Sequence, residues 1–343
     1  MKHKTFFWFM FPSAFAMLLF IALPIMSVFT QSLFIEHEKV LISVENCVPL
    51  GGCTMETVVD TEAAAKLKAE RPLGQFNGFG TYTNRNHLAF EEVGAFWRSS
   101  DSLGEFASQI YGLPFYKALA FTLTYTFLVT PLVIVLGFCI ALAVNALPRM
   151  LKGLAIFFSL LPMMVTPLIG SLILFWMIDS RGVLGQTLQV LMDDPGLSLK
   201  ASPALTWIML MVYGVWHSAP FAFVVFYAGL QTVPQDTLES AMIDGASRWE
   251  RVRYVVVPYL MPLVTFIALI QLMDNFRVFE PIVGFSAEAS ATSLSWIIYN
   301  DLRGEFQLFG SAAATSMLTI LGVAVLLTPV LIRTWRDFKG SHA

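Results

Sequence analysis

ALAFTLTYTFLVTPLVIVLGFCIALAVNALP, residues 118–148, has no charged side chain. Wound as an α-helix at about 1.5 Å per residue, it is longer than the roughly 30 Å of hydrocarbon in a bilayer. Five further runs free of Asp, Glu, Lys and Arg are each long enough to cross: Phe6 to Ile35, Gly153 to Ile178, Ala201 to Gln235, Tyr254 to Met273 and Phe306 to Ile332. The 343 residues are 56% hydrophobic and 13% charged, with a mean hydropathy of +0.68, too few polar groups to cover a soluble domain. Lipid satisfies no backbone N–H or C=O, and runs this long lack the alternation of barrel strands. The sequence therefore predicts an all-α membrane protein with six transmembrane helices.

Six crossings put both termini on one side, and the Lys and Arg distribution marks it as cytoplasmic. Segments on that side hold Lys2 and Lys4, Arg149 and Lys152, Arg248, Arg251 and Arg253, then Arg333, Arg336 and Lys339. The short opposite connections hold only Arg181, Lys200 and Arg303. The long first loop counts little, because long loops translocate regardless of charge. Lys2 and Lys4 precede the first run as in a signal peptide, but the run is too long for an h-region and no A-x-A-like site comes before Gln31, so it reads as a retained helix. Net charge is −3 with no basic tract, which disfavours nucleic acid as a partner.

The chain divides into a first helix (1–35), an outer loop (36–115), a five-helix membrane block (116–335) that includes a cytoplasmic loop (231–258), and a cytoplasmic tail (336–343). Within the outer loop, AAAKLKAE reads as a brief helix and QFNGFGTY as a turn. Cys47 and Cys53 bracket Val-Pro-Leu-Gly-Gly. In an oxidising compartment a bond between them would contribute about 2 kcal/mol in the chain-entropy model, while two free thiols remain the alternative. Pro131, Pro162, Pro167, Pro220, Pro258 and Pro262 punctuate the block and predict bent helices around a cavity.

The cytoplasmic loop has its own pattern. Leu238, Ala241, Met242, Ala246, Trp249, Val252 and Val256 recur at steps of three and four, the period of an amphipathic helix. Asp236 is placed to N-cap it, Glu239 adds to an acidic first turn, and Gly245 divides it in two. A helix resting on lipid headgroups is the plain alternative, but such helices carry a strongly basic face. Here Glu239, Asp244 and Glu250 balance the arginines, as suits docking in a protein groove.

Glu239-Ser240-Ala241, three residues, Gly245, nine residues, Val255, one residue, Val257-Pro258 resembles the EAA motif, Glu-Ala-Ala-x3-Gly-x9-Ile-x-Leu-Pro, of the permease subunits of bacterial ABC importers. Ser240, Val255 and Val257 depart conservatively from it. QFNGFGTYTN, with Thr81 where the family usually has Asn, then FYKALAFTLTYT, FFSLLPMMVTP, AGLQTVP, NFRVFEPI and WIIYNDLRGEFQLFGSAAA follow in the order of the carbohydrate branch, the maltose-type and glycerol-phosphate-type permeases. The resemblance implies a type I importer architecture in a bacterial inner membrane, with a second permease subunit, two copies of a cytoplasmic ATPase and a periplasmic binding protein as partners. It also implies that Glu239, Ser240, Ala241, Asp244 and Gly245 couple to the ATPase. ATP and Mg would be bound by that partner, because this chain has no GxxxxGK[ST] phosphate loop and no cofactor site of its own.

Ionisable groups within spans are costly and mark pathways. Asp274, Arg277 and Glu280 follow at i, i+3 and i+6, so that one arginine would reach both carboxylates along a helix flank; mutual pairing is the plain alternative. The resemblance places Asn275, Arg277 and Phe279 along a solute path, with His217, Ser218 and Phe221 in the fourth span and Met163 and Thr166 in the third as further lining candidates. A lone His among apolar residues is more often a satisfied structural group. The sequence holds no HExxH, Ser-His-Asp or Cys/His cluster, so neither catalytic nor metal-ligating residues are expected. A permease importing a sugar, polyol or glycoside, neutral or anionic, is the leading expectation. The rivals are an ion-coupled secondary transporter using Asp274, Arg277 and Glu280, and a membrane scaffold that uses the loop only to dock.

Overall fold

All six apolar runs carry proline, and two of them are broken. The computed structural model describes residues 3–37, 41–48, 52–196, 198–200, 202–304 and 307–340. In chain order, α1 (His3–Met17) and α2 (Leu23–Ser32) flank a π-helical turn and are followed by β1 (Phe34–Ile35), β2 (Leu41–Val48), β3 (Gly52–Val59), α3 (Thr61–Glu70), β4 (Gln75–Phe76), α4 (Gly80–Thr83), α5 (Phe90–Ser99) and α6 (Leu103–Tyr111). Then come α7 (Pro114–Ala146), α8 (Arg149–Met164), α9 (Pro167–Met177), α10 (Val183–Met192), α11 (Pro203–Leu230), α12 (Gln235–Ile243) and α13 (Arg248–Arg251). A second π-helical turn, Val252–Val256, leads into α14 (Val257–Tyr259), α15 (Met261–Phe276), α16 (Glu280–Gly284), α17 (Leu294–Arg303) and α18 (Phe309–Gly340).

Four helices are long and apolar enough to cross unbroken: Phe6–Ser32, Pro114–Ala146, Pro203–Leu230 and Phe309–Arg336. The third and fifth runs are broken, α8 against α9 by 95° and the Arg248–Tyr259 segment against α15 by 65°. With each broken pair counted as one crossing, the described residues hold up to six spans. In the third run Val165 and Thr166 turn extended, at ψ 129° and 143°. Proline disfavours helical backbone in the residue before it and supplies no N–H, so the helix stops at Met164 and restarts on Pro167. Leu260, at ψ 0°, makes the corresponding corner two residues ahead of Pro262. Pro131 and Pro220 sit inside α7 and α11 without breaking them.

The chain forms two compact units, Met1–Tyr116 with Ile297–Ile320, and Lys117–Trp296 with Leu321–Ala343. In the first, β1 pairs with β4 and β2 with β3, both antiparallel. The β2–β3 ladder departs from an all-helical expectation. Its Val, Ile and Thr content and two-residue alternation suit a hairpin, but each arm is too short to stand out against the apolar runs. Cys47 lies opposite Cys53 in its register; their side chains fall outside the described residues. The expected brief helix is α3, capped by Asp60, whose Oδ1 accepts from the N–H groups of Glu62 and Ala63 at 3.0 Å.

His87 ties this unit together. It is 1% exposed. Its Nδ1 lies 2.9 Å from Asn84 Oδ1, and its Nε2 lies 3.2 Å from the Ser311 carbonyl and 3.1 Å from Thr315 Oγ1 on α18. Ser311 Oγ donates to Asp301 Oδ2 at 2.6 Å, and Gly310 N–H to Glu36 Oε1 at 2.7 Å. Burial pushes the His87 imidazole below its ordinary pKa, opposed by the Ser311 carbonyl and Asp301.

In the second unit, Phe121, Tyr125, Leu210, Tyr213, Phe223 and Phe226 form the buried centre with Ile267, Ile282 and Phe285. Gly284 lets α16 lie directly on α9: a Cβ there would overlap Ser171 Oγ and stand 2.9 Å from the Leu168 carbonyl. Replacing it by Leu over-packs this crossing, at a cost of about 1–3 kcal/mol; a lower melting temperature of the detergent-purified chain, with Gly284→Ala between variant and parent, is the expected result. His87→Phe leaves the Ser311 carbonyl and Thr315 hydroxyl without their partner, at about 1–3 kcal/mol. Limited proteolysis should then cut faster between residues 84 and 89 than in the parent.

Candidate functional site

Two regions carry the residues singled out in the sequence. The first is the corner between α11 and α15. Helix α12 begins at Gln235 with Pro234 in the N-cap position, and Asp236 lies in its first turn. Asp236 is thus not the cap: Pro234, with its fixed φ, already takes the extended backbone of an N-cap two residues earlier than the side-chain chemistry suggested. Glu239 falls beyond the first turn.

The helix ends at Ile243, and Gly245 turns the chain at φ +84°. Its N–H donates to the Met242 carbonyl at 3.1 Å and that of Ala246 to Ala241 at 2.9 Å, closing the helix end as left-handed C-caps do. Two residues later Ser247 opens α13 with a capping box: Glu250 N–H donates to Ser247 Oγ at 3.3 Å, and Ser247 N–H donates to Glu250 Oε2 at 2.7 Å. Tyr259 Oη donates to the Thr232 carbonyl at 2.9 Å and pins the two arms.

Within this corner Leu238, Ala241, Ala246 and Val252 are half-buried and Val256 is buried. Met242 and Trp249, expected on the same face, are exposed instead, beside Ile243 at 87% and Tyr254 at 67% exposure. The left-handed Gly245 rotates α13 relative to α12, so a single helical wheel could not place both. Glu239, Ser240 and Asp244 are exposed as well. Arg251 Nε is buried with no hydrogen-bond partner among the described residues.

The second region surrounds the break in the third span. The carbonyls of Val165 and Pro167 receive side chains of α11: His217 Nε2 lies 3.0 Å from the first, and Tyr213 Oη donates to the second at 2.8 Å. His217 therefore closes a structural need. Thr166 and Met163 are exposed beside it, Ser218 is half-buried, and Phe221, one turn on, packs on Phe266 with ring centroids 6.3 Å apart.

The end of the fifth span does not form the expected flank. Helix α15 stops at Phe276, Arg277 is its C-cap, and Phe279 at ψ −61° opens α16 on Glu280. Arg277 pairs with Asp274 at 3.0 Å, both more than half exposed. Glu280 stands on a different helix, close enough to Tyr125 and Tyr213 to act on them electrostatically. The three-residue spacing assumed unbroken helix, and the break removes the continuous row of carboxylates on which the ion-coupled reading depended. Asn275 is 6% exposed and its Nδ2 donates to Thr130 Oγ1 at 3.0 Å and to Gln271 Oε1 at 3.4 Å. Sequence reasoning missed Tyr125 and Tyr213. Their signal was a phenol hydroxyl in an apolar run, facing glycine: a Cβ at Gly170 or Gly214 would run into Tyr213 Oη or Tyr125 Oη respectively.

Comparison with known proteins agrees with this geometry. Residues 133–334 match the family described as binding-protein-dependent transport system inner membrane component. The trehalose transport system permease protein SugA of Mycobacterium tuberculosis is 30% identical over 245 residues, covering 71% of this chain and 76% of that protein. The trehalose/maltose transport system permease protein MalF of Thermococcus litoralis is 30% identical over 207 residues, 58% of this chain and 68% of that one. A chain of a bacterial ABC transporter involved in the import of the acidic polysaccharide alginate superposes with a TM-score of 0.58 at 21% identity, over 81% of this chain and 97% of that chain, a likeness of fold. With apolar spans, two broken crossings and the corner built on Gly245, this chain belongs to the family of binding-protein-dependent transport system inner membrane components and is an inner-membrane permease of an ABC importer.

Proposed function

We propose that this permease carries a sugar, polyol or glycoside into the cytoplasm by alternating access, as one half of a heteromeric pathway. The observation that carries the assignment is the corner at Gly245, capped on both sides yet presenting Met242, Ile243, Trp249 and Tyr254 to water. Large apolar side chains held on ordered helices fit a protein groove. A cytoplasmic ATPase, in two copies that bind ATP and Mg, is the partner, with Glu239, Ser240, Ala241, Asp244 and Gly245 at the centre of contact. A second permease subunit and a periplasmic binding protein complete the assembly.

Closure of the ATPase pair would displace the corner. Helix α13 runs through the π-helical turn and α14 to the Leu260 bend, so the displacement reaches α15, whose far end carries Asp274 and Asn275 and leads through its C-cap Arg277 to Phe279. These residues, with Glu280, His217, Ser218, Phe221, Met163 and Thr166, are assigned to the solute path. The exposed charges of Asp274, Arg277 and Glu280 suit hydroxyl groups, and the aromatic faces of Phe221 and Phe279 suit the C–H side of a sugar ring. The trehalose and trehalose/maltose relatives support a carbohydrate as solute.

In the co-expressed complex, Gly245→Val forces a β-branched residue into left-handed backbone, at about 1–2 kcal/mol or more. Co-purification of the ATPase and solute uptake should both fall about tenfold or more, with the permease still in the membrane. Uptake that survives would overturn the coupling assignment. Glu280→Gln and Arg277→Ala are expected to raise the KM for uptake severalfold while ATPase co-purification is unchanged; unaltered kinetics would remove both from the path.

A further inference from the structure

Helices α5 and α6 form a hairpin whose apolar side is left open. On α5, Phe90, Val93, Phe96 and Trp97 recur on one face, opposite Glu91, Glu92, Arg98 and Ser99; on α6, Leu103, Phe106, Ala107 and Ile110 stand opposite Gly104, Glu105 and Ser108. The two helices meet through Trp97 and Phe106, edge to face at 5.1 Å. Yet Phe90, Trp97 and Leu103 remain 57%, 64% and 76% exposed, and no described part of the chain covers them.

The hairpin is held at the outer end of a membrane span. Only Gly112 and Leu113 separate α6 from α7, and Leu113 is 2% exposed, its N–H donating to the Ile110 carbonyl at 2.9 Å. Ahead of α5, the Leu88 carbonyl accepts from Tyr116 Oη, in the first turn of α7, at 2.8 Å. Both ends of the hairpin are therefore tied to the top of that span. With 33 residues, α7 is about 50 Å long, against about 30 Å of hydrocarbon and 40–45 Å with headgroups, which sets its first turn in the headgroup layer.

We infer that the α5–α6 hairpin lies in the outer membrane–water boundary, with Phe90, Trp97 and Leu103 in the lipid of the outer leaflet and the acidic face turned to water. The bilayer already surrounding α7 is continuous with this surface. A tryptophan at headgroup depth with apolar residues below it follows the aromatic belt of membrane interfaces, while the polar face differs from that of a basic interfacial helix in carrying Glu91, Glu92 and Glu105 against Arg98. The acidic polar face keeps the charges away from anionic headgroups. The inference needs only the membrane placement of α7 and is independent of the solute.

Full chain with its partner subunits is reconstituted into phosphatidylcholine vesicles, with or without bromine at the 6,7 positions of one acyl chain, and tryptophan emission is read for the parent and for Trp97→Phe. The emission lost in the variant should be the part quenched by brominated lipid and spared by aqueous iodide. A second variant, Trp97→Phe with Leu103→Trp, should restore that quenching from the other helix. Iodide quenching without lipid quenching would place the hairpin in water, and protection from both would mean that a subunit covers it; either outcome overturns the assignment.

Discussion

A carbonyl freed inside a membrane has to find a donor, and this chain frees that of Val165 where its third span breaks. Lipid offers none, and an unsatisfied backbone group there costs several kcal/mol. His217 faces the Val165 carbonyl at hydrogen-bonding distance, and Tyr213 adds an O–H donor to the Pro167 carbonyl in the first turn of α9. The position of α11 against α8 and α9 follows from these contacts. Tyr213 needs Gly170 beside its hydroxyl, and Gly284 lets α16 lie on α9 against Ser171 and the Leu168 carbonyl. A 95° break thereby becomes an ordered element of the fold.

The fifth span is built differently. Its corner at Leu260 sits between Pro258 and Pro262, and its cytoplasmic arm begins at a capped turn on Gly245. The corner is rigid in its hydrogen bonds and open in its side chains. That combination lets an external force move a segment without first ordering it, since the conformational entropy has been lost on folding. At the other end of the span, Arg277 as helix C-cap turns a row of charges into two sites on separate helices.

The outer segment repeats the theme on a small scale. His87 on the loop bonds across to the first turns of α18, while Asp301 and Glu36 accept from Ser311 and Gly310 at that helix's N-terminus, where anionic side chains are favoured. His87 stands 224 residues from Ser311 in sequence and Glu36 stands 274 from Gly310.

The sequence by itself determined the solvent of the spans and the place where the cytoplasmic-loop helix divides. Charge-free length, the Lys and Arg distribution and the spacing from Glu239 to Pro258 are properties of composition and order along the chain, and local physics reads them directly. Gly245 announced the division of the helix for the same reason, and the structure adds that its backbone there is left-handed. Tertiary structure alone decided which prolines break a helix, since Pro131 and Pro220 are absorbed within α7 and α11 whereas the chain turns extended ahead of Pro167. Whether a lost hydrogen bond is tolerated depends on donors far away in sequence. It also decided that Met242 and Trp249 face outward, that Glu280 leaves the flank of Arg277, and that Asn275 turns to Thr130. Periodicity cannot be carried across the turns at Gly245 and Arg277, and Asn275 meets a threonine 145 residues away in sequence.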